Sequence, residues 1–157
     1  MDKNKLYVLI GVPGSGKSTW INNQEWAKDC TYASTDEFVE EWAKTVGKTY
    51  SEVFAEYMPI AVVKMLARVA GGRDEGKDII WDQTSCSIST RAKKIKMLPN
   101  YYKIAVVFKT PPTAELIKRL DSRPGKEIPW NIVSDMAQKL ETEPPTLDEG
   151  FDEIWYA

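Results

Sequence analysis

Gly11-Val12-Pro13-Gly14-Ser15-Gly16-Lys17-Ser18 fits the pattern G-x-x-x-x-G-K-[ST] at every fixed position. The pattern has a mechanical reading. Glycines let the backbone turn tightly and aim successive N–H groups at phosphate oxygens. A helix opening at Lys17 adds the positive end of its dipole. The Lys17 ammonium can reach the β- and γ-phosphates, and the Ser18 hydroxyl can ligate Mg²⁺. Leu6-Tyr7-Val8-Leu9-Ile10, just upstream, reads as a buried strand. Strand, loop and helix in this order are the context in which the pattern holds a nucleoside triphosphate. The expected contacts to ATP are therefore Gly11, Pro13, Gly14, Ser15, Gly16, Lys17 and Ser18. Thr19, the next helix residue, either adds a contact or is structural.

Beyond the loop, apolar strands and helical patterns alternate. Thr31–Ser34, Asp78–Trp81, Tyr102–Phe108 and Phe151–Tyr156 read as strands. Helical pattern runs from Glu37 to Lys44 and from about Tyr50 to Ala70, with an interruption expected near Pro59 and a stop at Gly71-Gly72. Further helices are expected over Ser87–Leu98, Thr113–Ser122 and from Pro129 or Trp130 to Leu140. Alternation of this kind implies an α/β fold of the P-loop NTPase kind, a parallel sheet of about five strands with helices on both faces. The 157 residues suit a single domain over 1–157. Ligands of such sheets bind outside the carboxyl ends of the strands. Gly11, Asp36 and Asp82 all lie just past a strand end, so the three should meet in one cleft.

Asp36 has two readings, a general base that accepts a hydroxyl proton and a helix N-cap. Asp82 follows Ile79-Ile80-Trp81 and reads either as a Mg²⁺-supporting carboxylate or as a turn residue. Ser18, Asp36 and Asp82 form the candidate metal set. Arg119, Arg123 and Lys126 flank a Pro-Gly loop that can act as an Arg-bearing lid over ATP, or simply end a solvated helix. Trp81 reads as core, and Trp20 and Trp26 as packing residues of the first helix. Trp42 and Trp130 are the tryptophans that could line a substrate groove.

Composition narrows the chemistry. The chain has no histidine and two cysteines, Cys30 and Cys86, without metal or redox spacing. Zinc sites and His-dependent triads are excluded, and a general base must be a carboxylate, Lys, Tyr or Cys. No apolar run is long enough to span a bilayer, and free cysteines without an export signal point to the cytoplasm. The formal net charge is -2 but unevenly spread. Residues 91–126 carry ten Lys or Arg against two acids, and residues 127–157 carry eight acids against one Lys. A basic segment of this kind suggests either a local anionic ligand or solvated helices.

These motifs together resemble the kinase module of polynucleotide 5′-hydroxyl kinases, both the phage type and the kinase half of the animal repair enzyme. The resemblance rests on Gly11–Trp20, Ser34-Thr35-Asp36, Trp81-Asp82-Gln83-Thr84 followed by Arg91, Arg123-Pro124-Gly125-Lys126 with Ile128-Pro129, and Glu143–Phe151. It implies transfer of the ATP γ-phosphate to the 5′-hydroxyl of DNA or RNA. In that reading Asp36 is the base, Arg123 acts in the transition state, and Asp82 and Thr84 bind the acceptor end. The phage type carries an arginine three residues after the base, where this chain has Val39, and Thr35 replaces another family arginine. Acceptor recognition then falls to Arg91 or Lys93. No Asp-x-Asp-x-Thr motif occurs, so the 3′-phosphatase of bifunctional relatives is not expected. Two other readings stay open, a P-loop kinase of a nucleotide, modified base or other small hydroxyl compound, and an ATP-binding module without transfer. A homo-oligomer is compatible with each.

Overall fold

An almost wholly apolar run such as Leu6–Ile10 needs cover on both faces and a neighbour on both edges. The computed structural model, which describes residues 2–157, gives it that position. Strand β1 (Lys5–Ile10) is the centre of a five-stranded parallel sheet. The order across the sheet is β2 (Thr31–Ala33), β3 (Ile79–Asp82), β1, β4 (Tyr102–Val107), β5 (Glu153–Tyr156).

Period-two alternation divides β1 between two cores. Leu6, Val8 and Ile10 face one cluster, with Ile79 and Trp81 of β3 beside them. Tyr7 and Leu9 face the other, with Ile80, Ile104 and Val106. The two sides are covered unequally. The first carries most of the helices: α2 (Thr35–Val46), α3 (Tyr50–Asp74), α5 (Thr113–Asp121) and α6 (Trp130–Thr142) all bury residues there. The second is closed by α1 (Lys17–Asn22) and a 3-10 turn (Glu25–Asp29), whose small extent is offset by large rings. Trp26 stacks on Tyr7 with centroids 4.4 Å apart, and Trp20 meets Phe108 edge-on at 5.8 Å. Trp26 belongs to the 3-10 turn rather than to the first helix.

Two expectations about α3 fail for physical reasons. Pro59 does not interrupt it. Pro59 and Ala55 are exposed, so the carbonyl that loses its partner can turn to water. Gly71-Gly72 does not end it. A Cβ on Gly72 would lie 2.6 Å from Thr31 Oγ1, so this glycine permits close approach of α3 to β2. The stop comes at Gly76, in the left-handed conformation with φ 67°, where Lys77 N–H donates to Gly72 O.

Register brings the loops together. Ala33 is level with Trp81 and Trp81 with Val8, so β2, β3 and β1 release their chains at one edge of the sheet. Gly11 N–H donates to Thr84 O at 3.0 Å, tying the loop after β1 to the loop after β3.

Candidate active site

The phosphate loop is built by local conformation. Gly14 (φ 80°) and Gly16 (φ 101°) occupy the left-handed region, and α1 begins at Lys17 directly after them. A Cβ on Gly11 would meet Ser15 Oγ at 2.6 Å and Phe108 Cβ at 2.9 Å. Ser15 Oγ is buried and has no hydrogen-bond partner among the described residues, which suits a loop shaped for an anion's oxygens. The Lys17 ammonium donates to the carbonyls of Gly11 at 2.7 Å and Val12 at 3.3 Å. Burial pushes its pKa down, opposed chiefly by the charge of Asp82.

The loop opens into a cleft of about 1170 Å³. Of the sequence-derived candidates, residues 13–19, Asp36, Asp82, Thr84, Arg119 and Arg123 all line it. Gly11 sits behind Ser15 at the root of the loop. Asp82 accepts a hydrogen bond from the Tyr32 hydroxyl, and its pKa is raised by burial against the opposing effects of that bond and of Lys17. Arg119 donates to Gly14 O at 2.9 Å and pairs with Glu115 at 2.6 Å, so it braces the loop from α5. Arg123 has no ion-pair partner among the described residues, and its charge is felt at Lys17, Asp36 and Tyr50.

Asp36 is not the cap of α2. Ser34 is, with its Oγ accepting from Asp36 N–H at 3.2 Å. The Asp36 carboxylate instead receives the Tyr50 hydroxyl on Oδ1 at 2.6 Å and the Lys126 ammonium on Oδ2 at 3.1 Å. Lys126 also reaches Glu40 at 3.0 Å. Burial pulls the Asp36 pKa up. The Lys126 charge and the two hydrogen bonds outweigh it and hold the group below the usual carboxylate range. Each Asp36 carboxylate oxygen thus already accepts one hydrogen bond, from α3 on Oδ1 and from the loop after α5 on Oδ2.

Arg91 is a correction. It does not face the cleft. Its side chain is fully buried on α4 (Ile88–Met97), where it pairs with Glu149 at 2.7 Å and donates to the carbonyls of Ser85 at 3.1 Å and Glu143 at 2.7 Å. Four acceptor contacts make it a strut behind the loop after β3. Lys94 and Lys103 of the same basic segment are buried too, so that segment is not one exposed anionic-ligand surface. Neither Trp42 nor Trp130 lines the cleft; Trp42 stacks on Tyr57 at 5.2 Å. Sequence reasoning missed Tyr50, Phe54, Ile132 and Met136, which do line it.

The model of the AAA domain family matches residues 6–143. The chain belongs to that family. No curated protein matches it. Among solved structures, a protein from Chloroflexus aurantiacus J-10-fl, provisionally assigned as a kinase, superposes with a TM-score of 0.72 at 18% identity, over 100% of this chain and 86% of that one. A chain of the Pnkp1/Rnl/Hen1 RNA repair complex is 23% identical, with a TM-score of 0.61 over 97% of this chain. Only 47% of that chain is covered, so this protein spans about half its length. Shikimate kinase from Bacteroides thetaiotaomicron is 19% identical, with a TM-score of 0.53 over 98% of this chain and 86% of its own. At these identities the likeness is one of fold.

Proposed function

We propose that this protein is an ATP-dependent kinase that phosphorylates a hydroxyl group held beside Asp36. The observation that carries the reading is Asp36 itself, a carboxylate kept ionised and facing the same cleft as the phosphate loop. A module that only bound ATP would need no such group.

Lys17, the orphan Ser15 hydroxyl and the loop N–H groups hold the triphosphate. Ser18 and Asp82 would hold Mg²⁺, which supplies positive charge to the phosphate oxygens. Asp36 accepts the proton of the acceptor hydroxyl as its oxygen bonds to the γ-phosphorus and the bond to the bridging oxygen breaks, releasing ADP. Arg123, free of a carboxylate partner among the described residues, balances charge on the transferring group.

Two acceptor classes have support. The motifs shared with polynucleotide 5′-hydroxyl kinases favour the 5′-hydroxyl end of DNA or RNA, with Thr84 and Asp82 near the acceptor. The acceptor side itself favours a small hydroxyl compound. Val39 carries no charge, Arg91 is buried against Glu149, Lys126 is shared by two carboxylates, and Arg123 is assigned to the transferring group, so none of these is set aside for a nucleic-acid phosphate.

The test is transfer of label from γ-labelled ATP to a 5′-hydroxyl oligonucleotide and to free nucleosides, with wild type beside Asp36→Asn. The expected result is labelling by wild type and a loss of roughly 10²–10⁴-fold in Asp36→Asn, with ATP affinity unchanged. Wild-type turnover in Asp36→Asn would remove the base assignment.

A further inference from the structure

We infer that the acceptor half of the cleft is a ring-binding slot for a flat, uncharged heteroaromatic group of the nucleobase type, carried by the compound whose hydroxyl meets Asp36. The role of Asp36 rests on the kinase reading above; the slot rests on observations of its own.

Tyr50, Phe54 and Met58 recur every four residues and share one face of α3. Ile132 and Met136 recur likewise on α6, and all five line the cleft. The neighbouring stripe of α3, with Val53, Tyr57 and Ala61, is buried in the core; Tyr50, Met58 and Met136 pack against that core from the cleft side, whereas Phe54 and Ile132 do not belong to it. Phe54 and Ile132 are each 42% exposed although they border a concave site. Large apolar side chains left open inside a cleft, with an aromatic ring among them, are what a planar ligand stacks on. Tyr50 and Phe54 stand with ring centroids 5.5 Å apart. Tyr50 also bonds Asp36, so the apolar stripe begins at the carboxylate itself.

The cation nearest the slot is already committed. Asp36 and Glu40 share one ammonium, Lys126, and Glu127 lies on the same rim. Arg123, whose charge is felt at Tyr50, is assigned to the transferring phosphoryl group, so the apolar stripe is left to a neutral ring. Gln83 borders the same cleft, and its side-chain amide N–H can meet a ring's polar edge.

The experiment is saturation-transfer NMR on the whole chain with ADP saturating the phosphate loop, using thymidine as probe and 2-deoxyribose as control. The expected result is stronger saturation of the base protons than of the sugar protons, no comparable signal from deoxyribose, and binding weakened about fivefold or more in Phe54→Ala. Ile132→Ala should act in the same direction. Displacement of thymidine by a 5′-hydroxyl oligothymidylate identifies a nucleic-acid end as the source of the ring. Failure to displace it identifies the free nucleoside. Thymidine that binds no better than deoxyribose, or that is indifferent to both substitutions, overturns the slot. Bound thymidine without transfer of label to any acceptor would leave the slot standing and count against the kinase reading. Transfer to another acceptor without ring binding would do the reverse.

Discussion

Replacing Arg91 with methionine separates a strut from a substrate contact. The side chain has no solvent exposure and Glu149 has 6%, so their ion pair at 2.7 Å is a buried one. Removing the guanidinium strands the Glu149 carboxylate, left with the Thr146 N–H, and two backbone carbonyls, those of Ser85 and Glu143. Breaking a buried pair from one side costs about 3–5 kcal/mol. For a domain of this size that corresponds to a fall in Tm of roughly 6–20 °C. Thermal melts followed by circular dichroism measure it. The paired change Arg91→Met with Glu149→Leu should recover much of the loss, because a buried pair exchanged for apolar groups is often neutral or better. Well below the lowered Tm, the KM for the acceptor should match wild type. An unchanged Tm together with a raised acceptor KM would refute the reasoning and return Arg91 to the substrate.

Lys126→Met removes the largest favourable influence on the Asp36 carboxylate. Burial then dominates, the Asp36 pKa rises, and the acid limb of the kcat–pH profile should move to higher pH; Tyr50→Phe should shift it in the same direction. Lys94 is buried 5.5 Å from the centre of the Trp81 ring and is pushed down from 10.5 to about 8. Below pH 8 the fold bears the full cost of charging it, and the cost vanishes as pH rises past 10.5, so stability gains with pH across that window. Lys94→Met should therefore stabilise the protein at pH 7 by up to roughly 3 kcal/mol and flatten that rise, as read by urea melts at several pH values. Two adjacent glycines should respond with opposite signs. Gly71→Ala meets nothing within 4 Å and should gain roughly 0.5–1 kcal/mol of helix propensity. Gly72→Ala collides with Thr31 and should lose about 1–2 kcal/mol net.

The sheet and the phosphate loop were legible because their physics is local. A run buried on both faces must be apolar throughout, and phosphate binding demands particular residues at particular spacings. The helix boundaries within α3 were not legible because glycine serves two purposes that look alike in sequence. Gly76 ends the helix by adopting positive φ, whereas Gly72 is there for what lies across from it, and Thr31 is some forty residues earlier. Composition misled for a related reason. The surplus of Lys and Arg over 91–126 reads either as a ligand site or as solvated helices, but part of it is answered by acids elsewhere in the chain. Arg91 meets Glu149, and Lys126 meets Asp36 and Glu40. Charge counted along a segment says little until the fold has paired it.

The acceptor side shows the same limit at the site itself. Asp36 could be found because it follows a strand, but its partners come from α3 and from the lid, 14 and 90 residues away. Tyr50 gives no separate signal, since it sits beside the helix-starting Thr49–Glu52 capping box and resembles any first-turn aromatic. Its consequence is nonetheless specific. Lys126 belongs to the loop that carries Arg123, and Ser51 of α3 holds that loop through the Gly125 carbonyl at 3.0 Å and the Glu127 N–H at 2.7 Å. The segment that carries the charge proposed for the phosphoryl group is thus tied to the same helix that orients the proposed base. A change that loosens this loop must also alter the surroundings of Asp36, so in Ser51→Ala, which removes the acceptor of the Glu127 N–H, kcat and the acid limb of the pH profile should move together.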